Sequence, residues 1–314
     1  MSTRVGIIGG YLGSGKTTLV NRLLTGVLPG RTAVVINDFG SINIDADLIA
    51  TSSDDTIELS NGCICCQIND DATRIMTALA KRDDLDNVLC EVSGVGDPGQ
   101  LAQWMEFPGF APGPVLVCAD ATAVRRLLSD EYVGDTVARQ FEAADVVLLT
   151  KTDVSRPNEV EDAAEACTDA APEAKLIVQN ADDPDTTAAE ALTPTAHIAG
   201  GTASEFLPFT DATEHASSHA STTVEFDGPV DLGDVILALD SPSTQLLRVK
   251  GIIMDKAGSW KEIQLAGGKL NIFDRNIDRH SRERSVMVLI AAGPEAERCV
   301  DEAAAMLKGT NSVQ

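Results

Sequence analysis

Short apolar runs alternate with longer amphipathic segments through residues 1–180. The runs are continuous rather than alternating, which is typical of strands buried on both faces of a mostly parallel sheet. The segments between them repeat at the helical period, so helices are expected on both faces of the sheet. The predicted strands are Val5–Ile8, Thr32–Ile36, Val88–Val92, Val115–Cys118, Val146–Leu149 and Leu176–Val178, and the predicted helices are Gly15–Thr25, Asp70–Lys81, Gln100–Met105, Thr122–Leu128, Asp135–Ala143 and Asn158–Ala170.

The pattern changes after residue 180. Residues 181–222 are rich in Ala, Thr, Asp, Ser and Pro and have weak periodicity, which predicts a linker with one short helix. Residues 223–314 are expected to form a smaller α+β domain. Its predicted elements are the strand Thr222–Phe226, the helix Asp231–Leu239, the strands Leu246–Ile253, Trp260–Leu265 and Val286–Ala291, and the closing helix Glu295–Leu307.

Composition and charge narrow the class of protein. The 314 residues are 44% hydrophobic and 23% charged, as in soluble globular proteins. The net charge of −24 repels nucleic acid and anionic membranes, so neither is an expected partner. An acidic, high-salt proteome explains this charge more simply than a direct functional role. We expect a cytoplasmic protein, because no apolar run is long enough to cross a bilayer and the N-terminus is already a predicted strand.

A phosphate-loop pattern follows the first predicted strand. The sequence fits G-x-x-x-x-G-K-[ST] between a strand and a helix, which is the expected context for binding a nucleotide. The alternative is a glycine-rich turn without a ligand. Lys16 is the candidate catalytic cation for the β- and γ-phosphates, and the Thr17 hydroxyl is a candidate Mg²⁺ ligand. The candidate nucleotide-binding residues are Gly10, Gly13, Ser14, Gly15, Lys16, Thr17 and Thr18.

Two further motifs follow predicted strands. Glu91 ends one of them, where a carboxylate can hold Mg²⁺ and take part in catalysis, and the Gly94 N–H can sense the γ-phosphate; an ordinary strand-end turn is the alternative. The motif Thr150-Lys151-Thr152-Asp153 ends another. Asp153 can accept two hydrogen bonds from guanine, which adenine does not offer, and the Lys151 stem can pack on the base. This pattern favours GTP over ATP.

Three of the seven cysteines lie within four residues, at Cys63, Cys65 and Cys66. Thiolates are soft ligands for Zn²⁺, Co²⁺, Ni²⁺ or Cu⁺, and three of them leave one position for another ligand. A redox or merely buried cluster is the alternative. The other four cysteines lie in apolar or helical patterns and are expected to be structural. They are Cys90, Cys118, Cys167 and Cys299.

The segment Asn37–Asp45 follows the second strand, as a switch loop would. Asp38 is a candidate for catalysis and for the transferred metal, while a polar turn with solvated carboxylates is the alternative. Among the four histidines, His215 and His219 have a spacing that suits a metal, although we favour a solvated loop for both. Trp104 and Trp260 are expected to be packing residues.

Taken together, these motifs resemble the CobW-like metallochaperone GTPases. The phosphate loop looks like the family's G-x-L-G-x-G-K-T-T, and Cys63-Ile64-Cys65-Cys66 matches its C-x-C-C. Glu91–Gly94 with Asp97-Pro98 is similar to its E-x-S-G-x-x-[DE]-P. Residues 247–251 resemble the R-x-K-G strand of its C-terminal domain. The resemblance implies a P-loop NTPase sheet followed by a CobW-like C-terminal domain.

This chain departs from the family pattern in the predicted switch loop. Asp38 and Ser41 stand where the family usually has glutamates, and Asn43 stands where it has glycine. Asp38 keeps a carboxylate with a shorter reach, whereas Ser41 lacks one. The His-rich tract of many members is also missing from the sequence. These changes bear on the identity and affinity of the metal.

The resemblance implies a GTPase that uses Mg²⁺, binds Zn²⁺ first or Co²⁺ next at the cysteines, and delivers it to a client. The client would be a metalloprotein or a protein of a cobalamin-type pathway. Slow intrinsic hydrolysis is expected, and the sequence leaves an oligomer open. Two alternatives remain open from the residues. One is a metal sensor or store with GTP as a structural ligand, and the other is a P-loop kinase for a small molecule.

Overall fold

A computed structural model describes residues 2–36, 56–58, 75–192, 219–241, 245–266, 268–275 and 285–309. These residues fall into two compact units, one ending before residue 213 and the other beginning there. No helix among the described residues has the length and apolar character needed to cross a bilayer.

The first unit is built on a parallel sheet of seven described strands in the order β3-β2-β4-β1-β5-β6-β7. Every pairing in it is parallel. The strands β2 and β6 match the predicted runs closely, whereas β5 begins five residues before its predicted start at Val115. The strands are β1 (Thr3–Gly9), β2 (Thr32–Ile36), β3 (Thr56–Glu58), β4 (Asn87–Glu91), β5 (Phe110–Asp120), β6 (Val146–Thr150) and β7 (Lys175–Val178).

Helices cover both faces of this sheet. They are α1 (Lys16–Arg22), α2 (residues 75–80), α3 (Pro98–Ala102), α4 (Val124–Leu128), α5 (Gly134–Glu142), α6 (Pro157–Ala170) and α7 (Pro184–Ala191). A π-helical turn, Leu23–Val27, extends α1, and a 3-10 turn, Gln103–Glu106, extends α3.

Alternate strand residues face the two layers of helices. Ile8 packs with Leu19 of α1 and Ala188 of α7 in one core. Ile7 packs with Met76 of α2 in the other. This burial on both faces is why the strands have continuous apolar sequences.

The segment predicted as a linker contains folded structure. Its short helix is α7, whose Ala188 and Ala191 lie in the core of the first unit together with Leu192. The first unit therefore continues past residue 180, contrary to the linker boundary at 181. Small residues in this helix pack closely against the sheet, and their low hydrophobicity hides the contact in the sequence pattern.

The second unit has an antiparallel sheet of five described strands in the order β11-β10-β9-β12-β8. Both helices pack on one face, where Phe226, Ile253, Leu289 and Val300 are buried together. The strand β11 is absent from the sequence prediction. The elements are β8 (His219–Phe226), α8 (Leu232–Leu239), β9 (Arg248–Met254), β10 (Trp260–Ala266), β11 (Lys269–Arg275), β12 (Ser285–Ala292) and α9 (Ala296–Gly309). The predicted fold class, a parallel α/β sheet with a smaller α+β domain, is confirmed.

Candidate functional site

The loop between β1 and α1 is a tight, glycine-dependent turn. Gly10 has a φ of 129°, and a Cβ there would lie 2.3 Å from the Cys118 carbonyl oxygen. Gly15 has a φ of 91° and forms the N-cap of α1. Both backbone conformations exclude most L side chains. The local sequence therefore forces the chain to turn directly over the end of β1.

Lys16 is buried under this loop, with 5% of its surface exposed. Its Nζ donates to the Gly10 carbonyl at 2.7 Å and lies 3.4 Å from that of Tyr11. A buried ammonium needs such partners. The Ser14 Oγ is also fully buried, yet it has no hydrogen-bond partner among the described residues. A buried hydroxyl without a partner and a buried lysine that donates to a loop carbonyl both fit an anionic ligand held by the loop.

Thr17 and Glu91 meet at the carboxyl edge of the sheet. The Thr17 Oγ1 donates to Glu91 Oε1 at 3.0 Å. Glu91 is the last residue of β4 and pairs in register with Ile8 of β1 and Ile36 of β2, which fixes its position. A hydroxyl and a carboxylate are the hard oxygen donors that Mg²⁺ prefers. These two side chains therefore fit a Mg²⁺ site beside the phosphate loop.

The loop after Glu91 packs against the phosphate loop. A Cβ at Gly94 would lie 2.3 Å from Leu12 Cδ2 and 2.9 Å from Leu12 Cα. The Gly96 N–H donates to the Ser93 carbonyl at 3.0 Å and closes a turn. Gly94 is thus positioned by direct contact with the loop that the sequence assigns to phosphate.

The motif at the end of β6 is joined to the phosphate loop. The Thr150 Oγ1 lies 2.8 Å from the Ser14 carbonyl oxygen and 3.0 Å from that of Ala119. Lys151 has a φ of 59°, and its Nζ forms a 2.6 Å ion pair with Asp120. Asp153 is exposed. The carboxylate of Asp120, at the end of β5, therefore holds the end of the Lys151 side chain.

Two residues that the sequence analysis missed belong to this edge. Asp120 ends β5 beside Thr150 and also accepts hydrogen bonds from the N–H and Oγ1 of Thr122. Gln140 on α5 is 1% exposed, and its Nε2 donates to the Gly94 and Gly96 carbonyls. Each had a signal. Asp120 directly follows an apolar run, and Gln140 is a polar residue at a core-facing helical position.

The candidate metal residues Cys63, Cys65, Cys66 and Asp38 lie outside the described residues. Within the described ranges no cluster of three or more His, Cys, Asp or Glu side chains could hold a metal. Burial raises the pKa of the thiols of Cys90, Cys118 and Cys167 to about 12, so they stay protonated and are poor ligands. All four described cysteines are buried and free, as the sequence predicts.

The remaining candidate residues are buried in the two units or cap a helix. His219 is buried in β8, and burial lowers its pKa, so the solvated-loop prediction for it is wrong. The strand begins earlier than predicted and takes this residue into the unit. Trp104 and Trp260 are buried, which confirms packing. Asp97 caps α3 by accepting from the Gly99 N–H at 2.8 Å.

Comparison with known proteins gives matches over both units. Residues 4–178 match the CobW/HypB/UreG nucleotide-binding domain, and residues 219–307 match the C-terminal domain of the cobalamin synthesis protein CobW. The zinc chaperone CobW of Sinorhizobium sp is 31% identical over 178 residues, which are 47% of this chain and 50% of the relative. The zinc chaperone YeiR of Escherichia coli K12 is 34% identical over 159 residues, 49% of this chain and 48% of the relative.

These alignments span about half the length of the curated relatives. Among solved structures, that of the Zn(II)-bound YjiA GTPase from E. coli covers 99% of each chain at 21% identity with a TM-score of 0.46. The family model itself matches more than half of the chain, on the strands and loops that carry the phosphate loop, Glu91 and Thr150. The chain belongs to the CobW/HypB/UreG family of nucleotide-binding proteins.

Proposed function

We propose that this chain is a GTP-hydrolysing metallochaperone that binds a transition metal and delivers it to a client protein. The observation that carries the proposal is the pairing of Thr17 with Glu91 beside a buried Lys16, with Gly94 packed on the same loop. This is the arrangement expected for a nucleotide site whose γ-phosphate is read by an adjacent loop.

Each described residue has a distinct part in binding the nucleotide. Lys16 exchanges its loop carbonyls for the β- and γ-phosphates and neutralises their charge. Ser14 gives its buried hydroxyl to the same phosphates. Thr17 and Glu91 hold Mg²⁺, which shields the phosphate charge when bound. Lys151, held by Asp120, covers one face of the base, and Asp153 accepts hydrogen bonds from guanine.

Cys63, Cys65 and Cys66 are the proposed ligands of the cargo, with Asp38 as a further ligand or as a group that positions the attacking water. We favour Zn²⁺ and place Co²⁺ second, because thiolates suit both and the similar proteins named above are called zinc chaperones. A reducing, cytoplasmic location would keep these thiols free. The client, in this proposal, is a metalloprotein or a protein of a cobalamin-type pathway.

In this proposal, release of the metal is coupled to hydrolysis of GTP. The segment 40–66 joins the predicted switch loop to the cysteines in sequence. GTP would stabilise the arrangement of this segment that gathers the thiolates, and hydrolysis would release it. Intrinsic turnover is expected on the order of 10⁻⁴ to 10⁻² per second, as for unassisted GTPases.

Phosphate release tests the proposal. Wild-type protein would be compared with Lys16→Met, with Mg·GTP and with Mg·ATP as substrates. Lys175→Met would serve as the control, because Lys175 of β7 forms an exposed ion pair with Glu190 of α7. We expect release from GTP only, lost in the first variant and kept in the second. Binding of GTP without phosphate release, whichever metal is added, would indicate a metal sensor or store. Phosphate transfer to an added small acceptor would indicate a kinase.

A further inference from the structure

Gln140 joins a helix of the first unit to the loop that carries Gly94. Its side chain reaches across 46 residues of sequence, and its Nε2 donates to the Gly94 carbonyl at 3.3 Å and to the Gly96 carbonyl at 2.8 Å. The residue is 1% exposed. The Gly96 N–H closes a turn onto the Ser93 carbonyl, so one amide group of Gln140 holds two of the four residues of this turn.

The polar groups around this contact are only partly satisfied. The Oε1 of Gln140 and the Oγ of Ser93 are both fully buried and lack hydrogen-bond partners among the described residues. Leaving a buried acceptor without a hydrogen bond destabilises the folded state. A helix that needed only to pack here would do better with an apolar side chain. Two orphan polar atoms at this contact therefore indicate a role beyond packing for the side chain of Gln140.

The position of Gly94 connects this contact to the nucleotide. Gly94 has no room for a side chain against Leu12 of the phosphate loop, so the position of Gly94 depends on the position of that loop. One of the carbonyls that Gln140 holds belongs to Gly94, whose N–H the sequence analysis assigns to the γ-phosphate. The Gly94 N–H shares a peptide plane with the Ser93 carbonyl, which accepts the Gly96 N–H, so a turn held by Gln140 restricts the direction of the Gly94 N–H.

We propose that Gln140 is a positioning residue that presents the Gly94 loop to the γ-phosphate and thereby sets the preference for GTP over GDP. The inference rests on the proposed function, because it assumes that GTP occupies the phosphate loop. GDP lacks the γ-phosphate and gains nothing from an ordered Gly94. Gln140 therefore raises the affinity for GTP and leaves the affinity for GDP nearly unchanged.

The test measures the affinities of a slowly hydrolysed GTP analogue and of GDP, both with Mg²⁺, in the full chain. Gln140→Met keeps the length of the side chain and removes its hydrogen bonds, and Gln140→Glu keeps its shape and removes its donor. Thr136→Val is the control, because Thr136 is buried on the same helix and shows no hydrogen bond to the loop among the described residues.

We expect both Gln140 variants to lower the ratio of analogue affinity to GDP affinity by about fivefold or more, as for the loss of one hydrogen bond. GDP affinity and the control should stay within twofold of wild type. A merely structural role would weaken both nucleotides equally, so an unchanged or raised ratio in either variant would overturn the inference. A wild type that does not bind the analogue at all would instead refute the proposed function.

Discussion

The side-chain hydroxyl of Thr150 lies 2.8 Å from the carbonyl oxygen of Ser14, 136 residues away in sequence. It joins the motif that would read the base to the loop that would hold the phosphates. The two halves of the nucleotide site are thus coupled by one buried hydrogen-bonding group that also lies 3.0 Å from the Ala119 carbonyl.

Replacing Thr150 with Val should loosen this junction. The substitution preserves the branched shape and removes the single donor that lies within reach of the Ser14 and Ala119 carbonyls, which should lower the free energy of unfolding by about 1 kcal/mol. Nucleotide affinity should fall for GTP and GDP alike, because both use both halves of the site. Chemical denaturation and nucleotide titration would measure these effects. Thr168→Val is the control, since the Thr168 hydroxyl bonds only within its own exposed helix; equal behaviour of the two variants would refute the coupling.

Gly94→Ala should separate the two loops. The new Cβ would lie 2.9 Å from Leu12 Cα, which is backbone and does not give way easily. We expect weaker binding of GTP analogues and slower phosphate release, with a smaller effect on GDP. Gly228→Ala is a matched control, because no atom lies within 4 Å of the Cβ that it adds. Wild-type hydrolysis by the Gly94 variant would show that this contact has no part in catalysis.

Asp120→Asn should disturb recognition of the base. The ion pair with Lys151 would be lost, while the amide oxygen could still accept from Thr122. A partly buried ion pair of this kind holds the lysine stem in place, so affinity for GDP should fall several-fold and the preference for guanine over adenine should narrow. The comparison is with Asp231→Asn, which removes an Asp–Lys pair in the second unit. Identical selectivity in both variants would argue against a role for Asp120.

His219 should make stability depend on pH. Burial lowers its pKa, so the folded protein holds the neutral imidazole while the unfolded chain protonates near pH 6.5. The contribution of His219 to the free energy of unfolding is therefore present above about pH 6.5 and is lost as the pH falls below that value. The free energy of unfolding, measured by denaturant at pH 7.5 and 5.5, should drop less in His219→Gln than in wild type. Equal drops would mean that His219 is not the titrating group.

The sequence predicts the parallel sheet well because its strands are buried on both faces and appear as continuous apolar runs. It misses β3, whose three residues form no pattern, and β11, in which Leu270 and Ile272 alternate with polar and exposed residues. It also places a linker where α7 packs, because Ala188 and Ala191 are weakly hydrophobic. The failures at β3 and α7 occur where packing, and not local periodicity, decides the structure.

The candidate site shows the same division. The sequence singles out Lys16, Thr17 and Glu91 as candidates because phosphate chemistry requires fixed residue types after strands. Gln140 and Asp120 contact Gly94 and Lys151, and only the fold creates these contacts. The sequence feature that could have found Gln140 is a polar side chain on the buried face of an amphipathic helix.

In the proposed function GTP and the delivered metal bind cooperatively, and the metal affinity in two nucleotide states tests this cooperativity most directly. Zn²⁺ and Co²⁺ would be titrated into reduced protein with a Mg·GTP analogue or with Mg·GDP, beside the Cys63/Cys65/Cys66→Ser variant. Cys299→Ser is the control, because its thiol is buried in the second unit. By linkage, the metal must tighten GTP-analogue binding by the same factor.

We predict that Zn²⁺ binds at least tenfold more tightly with the GTP analogue, a difference of about 1.4 kcal/mol. The preference should be lost in the triple variant and kept in the control. Equal metal affinity in the two nucleotide states, with the cysteines intact, would contradict the account.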